Sequence, residues 1–243
     1  MTNLAIDIGN THLKLAVFQE QKLIYKKDQE ISSNLSALEK VLNAFTFQNI
    51  LVAATGNSEK VVTLLLKKGL SFKILDHTTG IPFKNGYKTP KTLGVDRIAL
   101  VAAAVKQFPG NNALIIDAGT CVTYDFKNNE EQYLGGSISP GLAMRFKALH
   151  HFTAKLPSLE ATGIPNYTGK NTEEAIKSGV IHGISTEING IINWYRESYP
   201  ELTVILTGGD AQFLSKTLKN GIFAHSNFLL EGLDYIMVFN TTQ

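Results

Sequence analysis

The sequence predicts an α/β protein built from two related halves, and two observations carry that prediction. First, four short apolar runs end in glycine-containing turns: Gly9-Asn10, Thr55-Gly56-Asn57, Asp117-Ala118-Gly119-Thr120 and Thr207-Gly208-Gly209-Asp210. Each reads as a buried strand that stops at a tight, backbone-exposing turn. Second, the first and third of these share one pattern of strand, Asp-x-Gly, Thr and strand, with Asp7 and Asp117 in equivalent settings. An internal duplication follows, with halves at 1–110 and 111–243. Two unrelated hairpins with glycine turns would leave the same trace.

Each element has its own warrant. Residues 4–8 are an apolar run closed by Gly9, and residues 12–18 alternate with β-branched residues, so a strand and a hairpin are expected. Residues 35–45 read as a helix, and 51–54 as a strand. Ser58 is placed to cap a helix running to about Lys68. Residues 95–108 form an alanine-rich helix that permits close packing, ended by Pro109-Gly110-Asn111. Residues 113–116, 121–126 and 202–206 read as strands, and 211–218 as a helix. Asn171 with Glu174 three positions later is a helix-opening pattern. That helix is expected to reach Trp194, with Ile176, Val180, Ile184, Ile188 and Ile191 on one stripe.

Composition narrows the function classes. The chain has 243 residues, enough for one large domain or two small ones. Lys plus Arg number 23 against 21 acids, a net charge of +2 that gives no reason to expect a nucleic-acid or membrane partner. One cysteine, Cys121, excludes an internal disulfide and a cysteine-rich zinc site. The N-terminus lacks a basic stretch and a small-residue cleavage site, and a cytoplasmic location is the expectation. Neither GxxxxGK[ST] nor a strand followed by GxGxxG occurs, so this is no P-loop or dinucleotide-binding protein.

Several constellations could carry chemistry. Asp7-Ile8-Gly9-Asn10-Thr11 with Lys14 offers turn amides, hydroxyls and a cation suited to phosphate oxygens, and a carboxylate for a divalent ion or its waters. An ordinary hairpin with an Asp-capped turn accounts for the same residues. Asp117-Ala118-Gly119-Thr120 with Thr123 repeats the arrangement, and Gly208-Gly209 permits close approach of a bulky ligand such as a nucleoside. Gly94-Val95-Asp96-Arg97 opens an apolar helix. Asp96 in a first turn is favoured in its ionised form and could accept a hydroxyl proton during phosphoryl transfer; Arg97 could hold a carboxylate. Simple helix capping by Asp96 is the other reading. Residues 135–141, Gly-Gly-Ser-Ile-Ser-Pro-Gly, read as a tightly turned loop suited to anion or substrate contacts.

Taken in order, these segments resemble the type III pantothenate kinases, within the acetate and sugar kinase/Hsp70/actin superfamily. The carrying pieces are Asp7 to Lys14, Gly94-Val95-Asp96-Arg97, Asp117-Ala118-Gly119-Thr120, the Gly135 to Gly141 segment, Thr153-Ala154-Lys155-Leu156-Pro157 and Asn171 to Gly179. The resemblance implies duplicated ribonuclease-H-like (actin-like) domains, with mixed sheets flanked by helices and a nucleotide cleft between them. It implies ATP-dependent phosphorylation of the primary hydroxyl of pantothenate, the first step of coenzyme A biosynthesis. By resemblance, the phosphate-binding loop is Asp7, Ile8, Gly9, Asn10, Thr11, His12, Leu13 and Lys14, and Thr120 is a further nucleotide contact. Asp96 is the general base. Tyr87, Gly94, Val95, Asp96, Arg97 and Thr172 contact pantothenate, Thr172 near a dimer interface. Asp117 holds an activating monovalent cation, potassium or ammonium, and magnesium accompanies ATP. A homodimer is implied, with the helix after Asn171 as its apolar face. A kinase for another small hydroxylated metabolite, or a non-catalytic nucleotide-binding regulator on the same fold, would share the loops.

Overall fold

The computed structural model describes residues 1–31, 34–218 and 221–241. The chain forms two compact units. One comprises Met1–Pro109, Glu131–Tyr133 and Asn227–Gln243; the other comprises Gly110–Glu130 and Leu134–Ser226. The first stretch ends beside the expected division at 110/111. The chain's C-terminal segment packs with the first unit, although the expected second half, 111–243, includes it.

In the first unit, β1 (Thr2–Ile8), β2 (His12–Gln19), β3 (Lys22–Glu30), β4 (Asn49–Ala54) and β5 (Lys73–Ile74) form a sheet in the order β3-β2-β1-β4-β5. β1 runs antiparallel to β2 and parallel to β4. It is central and buried from Asn3 to Ile8, which is why Leu4, Ala5 and Ile6 are apolar in succession rather than alternating with polar residues. β3 lies at the edge and is lysine-rich and largely exposed, a composition that blunts edge-to-edge pairing. The helices are α1 (Ser36–Ala44), α2 (Glu59–Lys67) and α3 (Val95–Gln107). Ser58 makes no side-chain cap; instead Asn57 Oδ1 accepts from Glu59 N at 2.9 Å, so the cap expected at Ser58 sits one residue earlier.

The second unit contains β7 (Ala113–Ala118), β8 (Cys121–Lys127), β9 (Gln132–Pro140), β10 (Thr203–Thr207) and β11 (Phe223–Ala224), in the order β11-β10-β7-β8-β9. Read from the opposite edge, β9-β8-β7-β10-β11, this repeats the order of the first sheet. β7 is antiparallel to β8 and parallel to β10, as β1 is to β2 and β4. The first residues of β9 belong to the first unit, where Gln132 and Tyr133 pair parallel with β6 (Lys84–Asn85). Its helices are α4 (Leu142–His151), α5 (Thr172–Ser198) and the short α6 (Ala211–Leu214), which stops well before the expected end at 218.

Three sequence expectations change here. Residues 135–141 are not a free loop: through Pro140 they are strand β9, and Gly141 opens α4. A side chain at Gly136 would collide with the Tyr124 carbonyl, so glycine serves close strand approach. The α5 stripe is spent inside its own unit: Ile176, Val180, Ile184 and Ile188 join the core beside Leu114, Ile116 and Phe146, and Ile192 is buried there where Ile191 was expected. That stripe is covered within its own unit, whereas Trp194 near the end of α5 is 70% exposed. Finally, α7 (Phe228–Phe239) lies against α3 and β1, and Gly232 is needed because any side chain there would strike the Ala99 carbonyl. That packing assigns the C-terminus to the first unit.

Candidate active site

The turn between β1 and β2 carries the first group of candidate residues. Asp7 and Lys14 lie directly across the ladder, and Lys14 Nζ stands 3.4 Å from Asp7 Oδ2. Gly9 N donates to His12 O at 2.9 Å and closes the turn. Asn10, Thr11 and His12 are exposed, whereas Ile8 and Leu13 bury their side chains in the core and face a ligand with backbone only. His12 Nδ1 lies 2.7 Å from Asp28 Oδ1 on β3. The turn after β4 braces it from behind: Thr55 N and Gly56 N both donate to Ile8 O, and a side chain at Gly56 would strike the Gly9 carbonyl. Sequence reading marked Gly56 only as a strand-end turn; in the fold it backs the Gly9 turn.

Asp7 is buried, and burial pushes its carboxyl above the usual range. Lys14 opposes this, and the charge of Asp96 adds to it. Asp96 therefore lies within electrostatic reach of the turn. It sits in the first turn of α3, where Oδ1 accepts from Arg97 N at 2.8 Å. A side chain at Gly94 would meet Asp96 Oδ1, so glycine keeps the approach to this carboxylate open. Arg97 is buried, with its guanidinium carbon 5.6 Å from the centre of the Tyr87 ring. Tyr87 in turn stacks on Tyr133 at 6.0 Å and 20°. Thus Tyr87, Gly94, Val95, Asp96 and Arg97 belong to one neighbourhood in the first unit. Tyr133, the buried backing of that wall, carried no motif to mark it. Thr172 is exposed in the first turn of α5 in the second unit; the Asn171 side chain caps that helix by accepting from Glu174 N at 2.9 Å.

The second unit repeats the turn with different chemistry. Asp117 lies across the ladder from Thr123, and beside Thr207 of β10. Thr123 is buried, and its Oγ1 has no hydrogen-bond partner among the described residues. Thr120 is exposed at the tip of the turn. Gly208 takes a left-handed φ of +97°, and a side chain there would strike both the Ala118 carbonyl and Asp117 Oδ1. Asp210 N donates to Ala118 O at 2.9 Å, so the turn after β10 packs onto the turn after β7.

These donors can be tested against the cations the resemblance implies. Among the described residues, no group of three or more His, Cys, Asp or Glu is placed to hold a metal ion. Asp7 is a carboxylate whose ionised form gains from added positive charge, which fits magnesium carried on phosphates with one or two protein carboxylates. A carboxylate at Asp117 facing the unpartnered Thr123 hydroxyl is an all-oxygen set that fits a monovalent cation.

Comparison with known proteins shows the family. A family model for type III pantothenate kinase matches residues 3–194. A type III pantothenate kinase of Christiangramia forsetii is 52% identical, covering 99% of this chain and 100% of its own. One of Bacteroides fragilis is 45% identical over 98% of both. Among solved structures, a Campylobacter jejuni protein of the Baf family covers 99% of this chain and 100% of its own at 23% identity, with a TM-score of 0.64. The activator of the 2-hydroxyisocaproyl-CoA dehydratase from Clostridium difficile covers 100% and 98% at 11% identity, with a TM-score of 0.56. At these identities the two structures speak to fold alone. Matched by the family model over most of its length, and by named relatives over nearly all of it, the chain belongs to the type III pantothenate kinase family.

Proposed function

We propose that this chain transfers the γ-phosphoryl group of ATP to the primary hydroxyl of pantothenate, the first step of coenzyme A biosynthesis. The observation that carries the reading is the pairing, within one unit, of a phosphate-type turn with an open carboxylate: Asp7 and Lys14 face each other, and Asp96 is felt at Asp7. The amides of the Gly9 turn, the hydroxyl of Thr11 and the Lys14 ammonium suit the phosphate oxygens. Asp96 aligns the attacking hydroxyl and accepts its proton as the new P–O bond forms in line with the departing ADP oxygen. Arg97, steadied on Tyr87, suits the pantothenate carboxylate.

Thr120 and Gly208-Gly209 serve as nucleotide contacts in the second unit, and Thr172 as a further substrate contact. Magnesium, held at Asp7 and the phosphates, would neutralise charge on the triphosphate. A potassium or ammonium ion, held at Asp117 and Thr123, would do the same for the nucleotide near the second turn. A homodimer and a cytoplasmic location belong to the same reading; the exposed Phe152, Tyr167 and Trp194, all in the second unit, are the side chains that would gain from being covered.

Coupled measurement of ADP release tests this. Release should require pantothenate and should rise when potassium is added. ADP release independent of pantothenate, or none with ATP and pantothenate both saturating, would overturn it. Sedimentation of the purified protein checks the dimer.

A further inference from the structure

One network of polar side chains lies outside the site described above. Tyr124 on β8 is fully buried, and its hydroxyl donates to Glu187 Oε1 on α5 at 2.8 Å. Arg145 on α4 donates through Nη2 to Glu187 Oε2 at 2.5 Å and to Ser139 Oγ at 2.9 Å, and through Nε to Pro140 O at 2.9 Å. Burial works against ionisation of Glu187, but hydrogen bonds from Arg145, Tyr124 and Ser139 overcome it and hold the carboxyl below its usual range. Burial and the same carboxylate push the Tyr124 hydroxyl upward, so it stays a proton donor. The network thus ties two helices and two strands together, and through Nε and Nη2 the guanidinium grips the end of β9.

That end of β9 leads straight to the second turn. Gly141, the residue after Pro140, donates its N–H to Thr120 O at 3.1 Å. Any side chain at Gly141 would strike the carbonyls of both Gly119 and Thr120, so the two backbones are in direct contact. Arg145 fixes Ser139 and Pro140; those place Gly141; Gly141 places Gly119 and Thr120. We infer that Arg145, Glu187 and Tyr124 are positioning residues for the nucleotide-binding turn at Gly119-Thr120. None of the three needs to touch the nucleotide. This rests on the reading of Thr120 as a nucleotide contact.

The test uses Tyr124→Phe, Glu187→Gln and Arg145→Lys in the full-length protein, with Thr120→Val measured alongside. Arg145→Lys keeps the charge but cannot reach Glu187, Ser139 and Pro140 together. Its KM for ATP should rise roughly tenfold, because small displacements of positioning groups cost up to ~100-fold. The pantothenate KM and kcat should stay within about twofold, as expected for a contact made equally in ground and transition states. Binding of a fluorescent ATP analogue without pantothenate should weaken by the same factor. The Arg145→Lys/Glu187→Gln double variant should be no worse than its worse parent, since both break one network.

The inference fails if the variants melt like the wild type and bind the analogue unchanged. It also fails if both KM values and kcat change together, which is the mark of general loosening. Should Arg145→Lys not fold, the milder Tyr124→Phe and Glu187→Gln decide by the same criteria. Thr120→Val separates the two layers. If it weakens analogue binding while the network variants do not, the positioning role alone is wrong. If it has no effect, the nucleotide turn itself is misassigned and the positioning role falls with it.

Discussion

In the first unit the carboxylate at the end of the opening strand, Asp7, faces a lysine; in the second, its counterpart Asp117 faces a threonine. The scaffolds around them match closely. Both sheets share one strand order, and in both a glycine of the neighbouring parallel strand's turn presses on the hairpin: Gly56 on Gly9, Gly208 on Ala118. What differs is the source of positive charge. The first turn carries its own ammonium, while the second offers only a hydroxyl. A duplicated fold can therefore divide labour by one cross-strand substitution. On the proposed reading, one copy would handle phosphate and proton chemistry, and the other would hold a cation that arrives from solution.

The hardest way to break that division is to remove the chemistry from the first unit. Asp96→Asn should lower kcat by roughly 10²–10⁴, the range for losing a general base. The melting temperature should hardly move, because an amide oxygen still accepts from Arg97 N. Turnover near wild type in a folded variant would show that the division is wrong and that Asp96 only caps α3.

Next comes the built-in cation. Lys14→Met should raise the KM for ATP about 10–100-fold, the loss of a charge-assisted contact worth ~1.5–3 kcal/mol. It also leaves the buried Asp7 carboxyl without the group that opposes its burial, so its proton affinity should rise further and ATP binding should fail at a higher pH than in the wild type. An unchanged KM would place the phosphates elsewhere.

A smaller effect is expected from the second turn. Asp117→Asn should abolish stimulation by potassium and leave a basal rate about tenfold below the stimulated one, equivalent to ~1.4 kcal/mol. Asn is nearly isosteric, so the close packing of Gly208 against this side chain survives. Stimulation that persists in the variant would separate the cation from Asp117 and remove the contrast between the two turns.

The turns were legible in the sequence because their chemistry is local. Asp7 to Lys14 and Asp117 to Thr123 are contiguous runs, and Gly94 to Arg97 sits at a helix start that four residues announce. The edges of the sheets were not legible. β3 is mostly polar and charged after Tyr25, and the two-residue turn that leads into it, Glu20-Gln21, adopts φ of +50° and +63° with no glycine or asparagine to advertise it. β9 was hidden by the opposite problem: its glycines and proline read as a turn, yet Gly136 exists to let a strand lie against Tyr124. Gly56, Tyr133 and the Arg145 network were missed because each acts on a partner distant in sequence. Long-range packing also decided the fate of the C-terminus, which local pattern assigned to the wrong half.

That C-terminal helix supplies the smallest predicted effect, and a further contrast between the units. Asn3 of β1 donates to Asp234 of α7 at 2.8 Å, and accepts from Asn49 at 2.9 Å. The equivalent position in β7 is Ala113, so the second unit has no such anchor. Asp234 is fully buried and its Oδ2 has no hydrogen-bond partner among the described residues. Burial pushes its carboxyl above the usual range, with the Asn3 hydrogen bond and the charge of Lys106 opposing. A raised folded-state value means that the folded protein binds this proton more tightly than the unfolded chain. The stability this contributes is therefore complete below the ordinary carboxylate range and is lost as pH rises through the raised value. Asp234→Asn imitates the protonated form at every pH and removes that dependence. Its stability relative to the wild type should accordingly improve from about pH 4 towards neutrality, with a slope of at most about 1.4 kcal/mol per pH unit. Denaturant unfolding at several pH values measures it. A difference that is flat with pH would mean that Asp234 is ionised throughout, and that Asn3 and Lys106 outweigh its burial.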